Sequence, residues 1–395
     1  MMKLLKKYIK KMIIAYFLLI LLFTLSFQRK NNFFQKLENT DDCKEKSFLP
    51  NEENVKIIGR FYQKNDVTWI VHSGSSLEFY ITGISAEINL VGDSNIYSNI
   101  ELRPRFGIYI NDELLFDLLM SELDINLELF KNEEEKKTKV KIMLLSENKY
   151  GGIGIKNINV YTCNKRNIIE PVAKKNLSIE FIGDSMTCAY GVEGKDENEH
   201  FKTSTENFSK SYSYLASKIL NVDYSAVSYS GYGVASGYSE GEKNSEDLVS
   251  LYYKKIGKHK NYPGEWDFEK YKNDIIFINL GANDYNYYLA DPEKRGDEFI
   301  QEYIKLLDLV KECNPDSLII CTIGNIKKKN IYRLVEKAVK MYGDEKVLNF
   351  EVPEYEVDKY GSDWHPSIAS QEKIAKIVAE NISKFIKKYY NNTLI

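Results

Sequence analysis

The chain carries two different hydrophobic patterns, one in each half. Between Val55 and Thr162, apolar and polar residues alternate in short runs, at 67–71, 76–81, 86–91, 106–111 and 139–144. A period of two, with β-branched and aromatic residues, marks half-buried strands. Turn residues such as Ser73-Gly74-Ser75 and Asn111-Asp112 separate them. Many short strands of this kind predict an all-β sandwich of jelly-roll type. From about Ser178 the pattern changes, and strand-like runs alternate with helical ones. Strands are predicted at 178–182, 223–228, 275–280, 318–323 and 347–350, and helices at 209–220, 297–313, 331–342 and 367–389. That order predicts a three-layer α/β domain on a mostly parallel sheet, with its working site at the carboxyl ends of the strands. The expected division is a leader and linker over 1–50, a β-sandwich over 51–165 and the α/β domain over 175–392.

The N-terminus adds a targeting signal. Lys3, Lys6, Lys7, Lys10 and Lys11 precede an uncharged run from Met12 to Phe27. Such a run would make a helix of about 24 Å, short against the usual lower limit of about 17 residues for a spanning helix. Either a signal-peptide core or a short anchor fits, so the segment is expected to contact a membrane at least during export. The lysine excess before the run places the N-terminus in the cytoplasm and the remainder outside. An extracellular or cell-surface location follows.

Composition narrows the partners. A net charge of −3 with lysines and acids interleaved gives no global field for nucleic acid. The 29 tyrosines are mostly structural by expectation, although a sugar-binding face would also use aromatics. Five cysteines without a CxxC pattern argue against a disulfide framework or a zinc site.

The chemistry lies at strand ends. The run Ile179 to Glu193 reads IEFIGDSMTCAYGVE, in which an apolar strand stops at Gly183-Asp184-Ser185 and a helix start follows. A serine at such a turn is exposed and faces backbone N–H groups, as a nucleophile needs. Alone, Gly-Asp-Ser also fits an ordinary turn. Two further turns raise its weight, Ser230-Gly231 and Gly281-Ala282-Asn283-Asp284, each directly after a predicted strand. The oxyanion of an acyl transfer needs preorganised donors. The backbone N–H groups of Ser185 and Gly231 and the side-chain amide of Asn283 are the candidates. A plain tight turn at Gly231 and an Asx-turn at Asn283 are the structural alternatives. Asp184 and Asp284 read as caps that orient their neighbours. Of the four histidines, His72 falls in a sandwich strand and His200 and His259 in polar loops. His365, in Asp363-Trp364-His365-Pro366 just before the last helix, is the candidate general base. Trp364 beside it and Tyr285 after the third turn are candidate sugar-binding residues. Trp266 reads as core. Two long polar loops, 194–207 and 237–266, would sit near this edge.

These strings resemble the four blocks of the SGNH (GDSL-type) hydrolases. The longer runs Gly183–Glu193, Ile278–Asp284 and Asp363–Pro366 look most similar to carbohydrate esterase family 2, as does Lys56-Ile57-Ile58-Gly59-Arg60 near the sandwich opening. The resemblance covers about residues 50–390. It implies a jelly roll ahead of a flavodoxin-like α/β hydrolase domain, and cofactor-free removal of acetyl from O-acetylated sugars, as in acetyl xylan or glucomannan. On that pattern Ser185 is the nucleophile, His365 the base, and Ser185, Gly231 and Asn283 the oxyanion hole. One departure stands out. Most such enzymes have an aspartate three residues before the histidine, where this chain has Ser362, while Asp363 lies only two before. Either the Asp363 carboxylate orients the imidazole from that shifted place, or backbone carbonyls do, giving a dyad. The rival readings are a peptidoglycan or lipid ester hydrolase on the same fold, and a surface protein that binds carbohydrate without catalysis.

Overall fold

The structure of the protein, a computed structural model, describes residues 43–324, 329–353 and 359–390. The lysine-flanked apolar run and most of the expected linker lie outside the described residues. Among the described residues, no helix is long and apolar enough to cross a membrane.

The first half is one ten-stranded antiparallel sheet, curled in jelly-roll fashion around its own core. Phe79, Ile88, Phe106, Ile142, Ile155 and Val160 fill that core and are shielded from solvent. The runs expected at 76–81 and 86–91 are one strand, Ser76–Gly92. Its pairing with Asp124–Leu144 shifts register between Gly83 and Ser85 and again between Ala86 and Glu87. Bulges there let the strand bend where its sequence suggests an end. Its partner, Asp124–Leu144, runs through the charged stretch 131–137, which has no alternating signal. Cross-strand pairing overrides propensity at that point, and the charges lie mostly on the solvent side.

The cysteine expectation is corrected. Cys43 and Cys163 form a disulfide across 120 residues. Strand Lys44–Phe48 pairs with Ile153–Thr162 so that Lys44 faces Thr162, which brings the two preceding and following cysteines together. Pairing set by a distant strand register leaves no spacing signature in the sequence.

The second half is a five-stranded parallel sheet. Its order across the sheet is Asp223–Ser228, Ser178–Gly183, Ile275–Asn279, Leu318–Thr322 and Val347–Asn349. Both faces are buried, so these strands read as near-continuous apolar runs. Helices Pro292–Cys313 and Lys329–Tyr342 cover one face through Phe299, Tyr303, Leu307, Ile331 and Val335. Helices Tyr212–Leu220 and Ile368–Tyr389 cover the other through Tyr212, Ala216, Ile374, Val378 and Ile382. Met143, Leu145 and Ile58 from the sandwich join that second core, so the two sheets share buried surface.

The seam between them is also polar. Arg60, fully buried, donates to the carbonyls of Tyr253 and Lys255 and pairs with Glu180 on the hydrolase strand Ser178–Gly183 at 3.4 Å. Its guanidinium lies over the rings of Tyr253, Trp266 and Phe268. Trp266, expected in the core, is half-buried here and stacks on Tyr271. Arg105, from the sandwich, reaches Asp117, Glu193 and the carbonyls of Ser204 and Glu206. The polar loops 194–207 and 237–266 thus pack into the seam.

Removing one partner of a buried ion pair leaves a desolvated charge, at a cost of about 3–5 kcal/mol. Arg60→Ala is expected to lose stability in that range, measured by urea unfolding. A loss under about 1 kcal/mol, the scale of an exposed pair, would show that Glu180 finds another partner.

Candidate active site

Three turns leave the parallel sheet at one level. Gly183 pairs with Ser228 on one neighbouring strand and with Asn279 on the other. Immediately beyond Gly183, Asp184 caps the short helix Ser185–Cys188 by accepting the Met186 N–H at 3.0 Å. Gly183 has no room for a side chain, because a β-carbon there would overlap Thr187. Thr187 in turn meets the Tyr212 hydroxyl at 2.7 Å, which locks the first turn of the helix against the neighbouring layer. Ser185 stands half-exposed at the tip.

The second turn holds Gly231. Tyr232 N–H donates to Tyr229 O at 3.2 Å, closing a four-residue turn. Gly231 is third in it, at φ +88°, as a type II turn requires of that residue. A side chain at Gly231 would meet no atom within 4 Å. Glycine is needed there for backbone conformation, and the space beside it is open. Among the described residues, the N–H groups of Ser185 and Gly231 donate to no protein acceptor. In the third turn, the Asn283 amide donates to Tyr232 O at 2.7 Å and lies 3.4 Å from the Asp184 carboxylate. Asn283 thereby ties the second turn to the first, and its longer contact leaves a proton available to a better acceptor. Asp284 takes the N–H groups of Val234, Ala235 and Ser236, fixing the chain that follows Gly231. Burial pushes its carboxyl up to about 6 despite those donors.

His365 is oriented by main chain. Its Nδ1 lies 3.0 Å from the Asp363 carbonyl and 3.3 Å from the Ser362 carbonyl. A proton on Nδ1 satisfies both, which leaves Nε2 with a lone pair. The Asp363 carboxylate is directed elsewhere. It accepts from the Phe201 N–H at 2.9 Å and the Tyr190 hydroxyl at 3.0 Å, and meets His200 Nδ1 at 3.2 Å. Asp363 and Trp364 are both left-handed, at φ +49° and +62°, and this turn presents the carbonyls to the ring. Between the two sequence alternatives for the orienter, the geometry therefore gives the backbone. Asp363, expected among the catalytic residues, acts on the imidazole through its carbonyl. Burial lowers the His365 pKa, with the Asp363 and Ser362 carbonyls opposing it. For Asp363, burial works against the charge, but its hydrogen-bond donors hold the carboxyl below the usual range.

Tyr190, which sequence reasoning passed over, joins the Ser185 turn to His365. Its N–H donates to Ser185 O at 3.0 Å, and its ring lies 4.3 Å from that of His365. Gly191 O accepts the Ser362 N–H at 2.9 Å. The segment after Ser185 is thus bonded to the segment before His365. Tyr190 lies inside the run Gly183–Glu193, but nothing in that run assigns it a role. Trp364 is 65% exposed beside the base, its ring near Tyr360. Tyr285 is half-buried at the start of helix Tyr285–Ala290. His72 follows strand Val67–Ile70 instead of lying within it, and burial lowers its pKa to about 3. It donates from Nε2 to Ile256 O and is structural. His259 contacts Asn95 at the seam. Glu147, Cys188 and Glu206 form a buried set of metal-ligand types. The Lys149 ammonium sits 3.3 Å from Glu147 and already supplies positive charge there.

The comparisons bear on family and fold. The family model described as GDSL-like Lipase/Acylhydrolase matches residues 179–378. The chain is 29% identical over 356 residues to the cellulase/esterase CelE of Acetivibrio thermocellus, covering 86% of this chain and 40% of that protein. It is 26% identical over 223 residues to an acetylxylan esterase / glucomannan deacetylase of Cellvibrio japonicus, covering 53% and 60%. The chain therefore spans well under two thirds of the length of these relatives. Its fold is similar to a family two carbohydrate esterase from Clostridium thermocellum solved with cellohexaose. That match has a TM-score of 0.73 at 24% identity, covering 84% of this chain and 99% of the other.

Two outcomes follow from the His365 environment. The neutral imidazole is the form that accepts a proton, and its lowered pKa keeps it neutral to lower pH. The acid limb of kcat/KM against pH should therefore have its midpoint below the usual histidine value of about 6.5. Asp363→Asn keeps the carbonyl and should lose less than about tenfold in kcat, against the loss of about 10⁴ expected when a carboxylate orienter is neutralised. Steady-state kinetics on a soluble acetyl ester checks both.

Proposed function

The chain belongs to the GDSL-like lipase/acylhydrolase family, a family of carboxylic ester hydrolases, and from that premise we propose that it is an exported serine esterase that removes acetyl groups from carbohydrate. The observation that carries this reading is the imidazole held by two carbonyls at Nδ1, with Tyr190 linking its ring to the serine turn. Such a histidine has one nitrogen left to act as a base.

In the proposed reaction, the Ser185 hydroxyl oxygen attacks the acetyl carbonyl carbon as its proton passes to His365 Nε2. Negative charge gathers on the former carbonyl oxygen, where the N–H groups of Ser185 and Gly231 and the Asn283 amide donate to it. The tetrahedral centre collapses, the sugar oxygen leaves with the proton from His365, and an acetyl group remains on Ser185. Water, deprotonated by His365, then attacks this acetyl-enzyme and releases acetate. As that second tetrahedral centre collapses, His365 passes the water proton to the Ser185 oxygen, so serine and imidazole are restored; the sugar hydroxyl keeps the proton that came from serine, the acetic acid gives its own to solvent, and no cofactor takes part.

Carbohydrate is favoured as the alcohol because Trp364 offers an exposed ring next to the base, suited to stacking on a sugar face. Tyr285, half-buried beside the third turn, is proposed as a second wall. The polar loops packed in the seam provide no apolar lid of the kind a lipase uses. Export is supported by the Cys43–Cys163 disulfide, since such bonds persist in oxidising compartments. Whether the lysine-flanked run of the N-terminus serves as signal or anchor would be read from the mass of the exported protein.

Acetate release from acetylated xylan or glucomannan by the full chain, beside Ser185→Ala, tests the reaction. Wild type should release acetate and Ser185→Ala should not. Equal release by both would reject the serine mechanism, and release from peptidoglycan alone would move the substrate class. Asn283→Ala should lower kcat by about 10²–10³, the usual effect of removing one oxyanion donor.

A further inference from the structure

Of the polar clusters outside the three turns, the one around Glu147 lies nearest the chemistry. Glu147 follows the long sandwich strand Asp124–Leu144, in the segment Leu145-Ser146-Glu147-Asn148. All four residues are fully buried. Three of them bond to hydrolase-domain loops. Leu145 O accepts the Phe208 N–H at 3.0 Å, and Asn148 Oδ1 accepts the His259 N–H at 2.9 Å. Glu147 makes the contact that bears on catalysis: its Oε2 accepts the Ser230 N–H at 2.8 Å.

Ser230 is the second residue of the turn whose third is Gly231. A four-residue turn spends the N–H of its last residue on closure and leaves two central N–H groups unused. Glu147 accepts one of them. The other, on Gly231, is without a protein acceptor among the described residues and borders open space. The remaining ties on the turn come from hydrolase residues: Tyr238 N–H to Gly231 O, and the Asn283 amide to Tyr232 O, each at 2.7 Å. Without Glu147 the peptide ahead of Ser230 would keep only the turn-closing bond that Tyr229 O accepts from the Tyr232 N–H at 3.2 Å, and the direction of the Gly231 N–H depends on how firmly that peptide is held.

We propose that Glu147, a residue of the β-sandwich, is a positioning residue for the esterase reaction: by holding the Ser230 N–H it aims the Gly231 N–H at the developing oxyanion. A buried carboxylate so close to an oxyanion would oppose catalysis if its charge stood alone. Here Lys149 lies 3.3 Å from Oε1, and the Glu147 N–H is taken by Glu206 Oε2 at 3.1 Å. Burial, and then the charge of Glu147, push the Glu206 carboxyl well above the usual range, which disfavours a second negative charge beside the first. Cys188, three residues after the nucleophile, packs its Sγ 3.4 Å from Ser230 Oγ and closes the cluster on the catalytic side. The sandwich thus supplies the acceptor that the hydrolase turn lacks.

This inference rests on the esterase reading, and kinetics on a soluble acetyl ester separates the two. Glu147→Ala should lower kcat about 10- to 100-fold, part of the effect of deleting an oxyanion donor, while KM changes less than about twofold. Glu147→Gln keeps an acceptor oxygen at the same reach and should retain kcat within about threefold. Glu147→Asp, one methylene shorter, should behave like Glu147→Ala, and it stands in for that variant should the alanine protein not fold by circular dichroism. Folded Glu147→Ala or Glu147→Asp protein with wild-type kcat would overturn the proposal, as would an equal loss in Glu147→Gln or a change confined to KM. An inactive wild type would overturn the esterase reading and this one with it.

Discussion

The parallel register of the second sheet is the constraint on which the site depends. Gly183 stands opposite both Ser228 and Asn279, so the strands carrying the first, second and third turns stop on one rung. A displacement of one residue would move a turn by about 3.3 Å and reverse which way its last side chain points. Asn283 could not then reach both Tyr232 O and Asp184. The register is supported by burial on both faces: Ile179 and Phe181 pack into one helical layer and Ile182 into the other, and a slip of one residue would exchange those faces.

The fourth part of the site does not come from a strand end, and it is fixed differently. His365 depends on a left-handed pair, Asp363 and Trp364, in a backbone region that L-residues avoid. Each such residue costs on the order of 1–2 kcal/mol. The Asp363 carboxylate offsets that cost by gathering donors from Phe201 and Tyr190 and by its contact with His200. In many serine hydrolases the carboxylate bonds to the imidazole itself. Here the acid stabilises the turn, and the turn delivers carbonyls to Nδ1. A neutral acceptor stabilises the imidazolium less than a carboxylate does, consistent with a base whose pKa burial has lowered.

Much of this was legible from the chain, and the parts that were not share a cause. The five parallel strands have apolar runs, three of them ending at Gly-Asp-Ser, Ser-Gly and Gly-Ala-Asn-Asp, so local pattern located them within a residue or two of their observed bounds. Ser185, Gly231 and Asn283 sit on those turns and were named from them. What stayed hidden was set by distant pairing. The strand through 131–137 is charged and becomes β only against Ser76–Gly92. Cys43 meets Cys163 only because Lys44 faces Thr162. Glu147 carries no signal in the sequence, and only the packing of two domains buries it. The choice between the Asp363 carboxylate and carbonyl hangs on a sign of φ, which composition does not carry.

The polar seam explains why two sheets with separate cores behave as one site. Arg60, Arg105 and Glu147 leave the sandwich as buried or largely buried charges, and each ends on a hydrolase loop or strand. Apolar contact alone would join the domains with little orientation, because burial of area is non-directional. Charged hydrogen bonds are directional and costly to leave unmet. Arg105 holds the loop that carries Phe201 to Asp363, and Asn148 holds the loop around His259. The same arrangement accounts for the length of the two polar loops: they must leave the sheet edge, meet the sandwich and return. Orientation of the His365 turn and of the Gly231 turn is thus shared with the β-sandwich, and a substitution there that spares its core but removes one of these charges would be felt at Ser185.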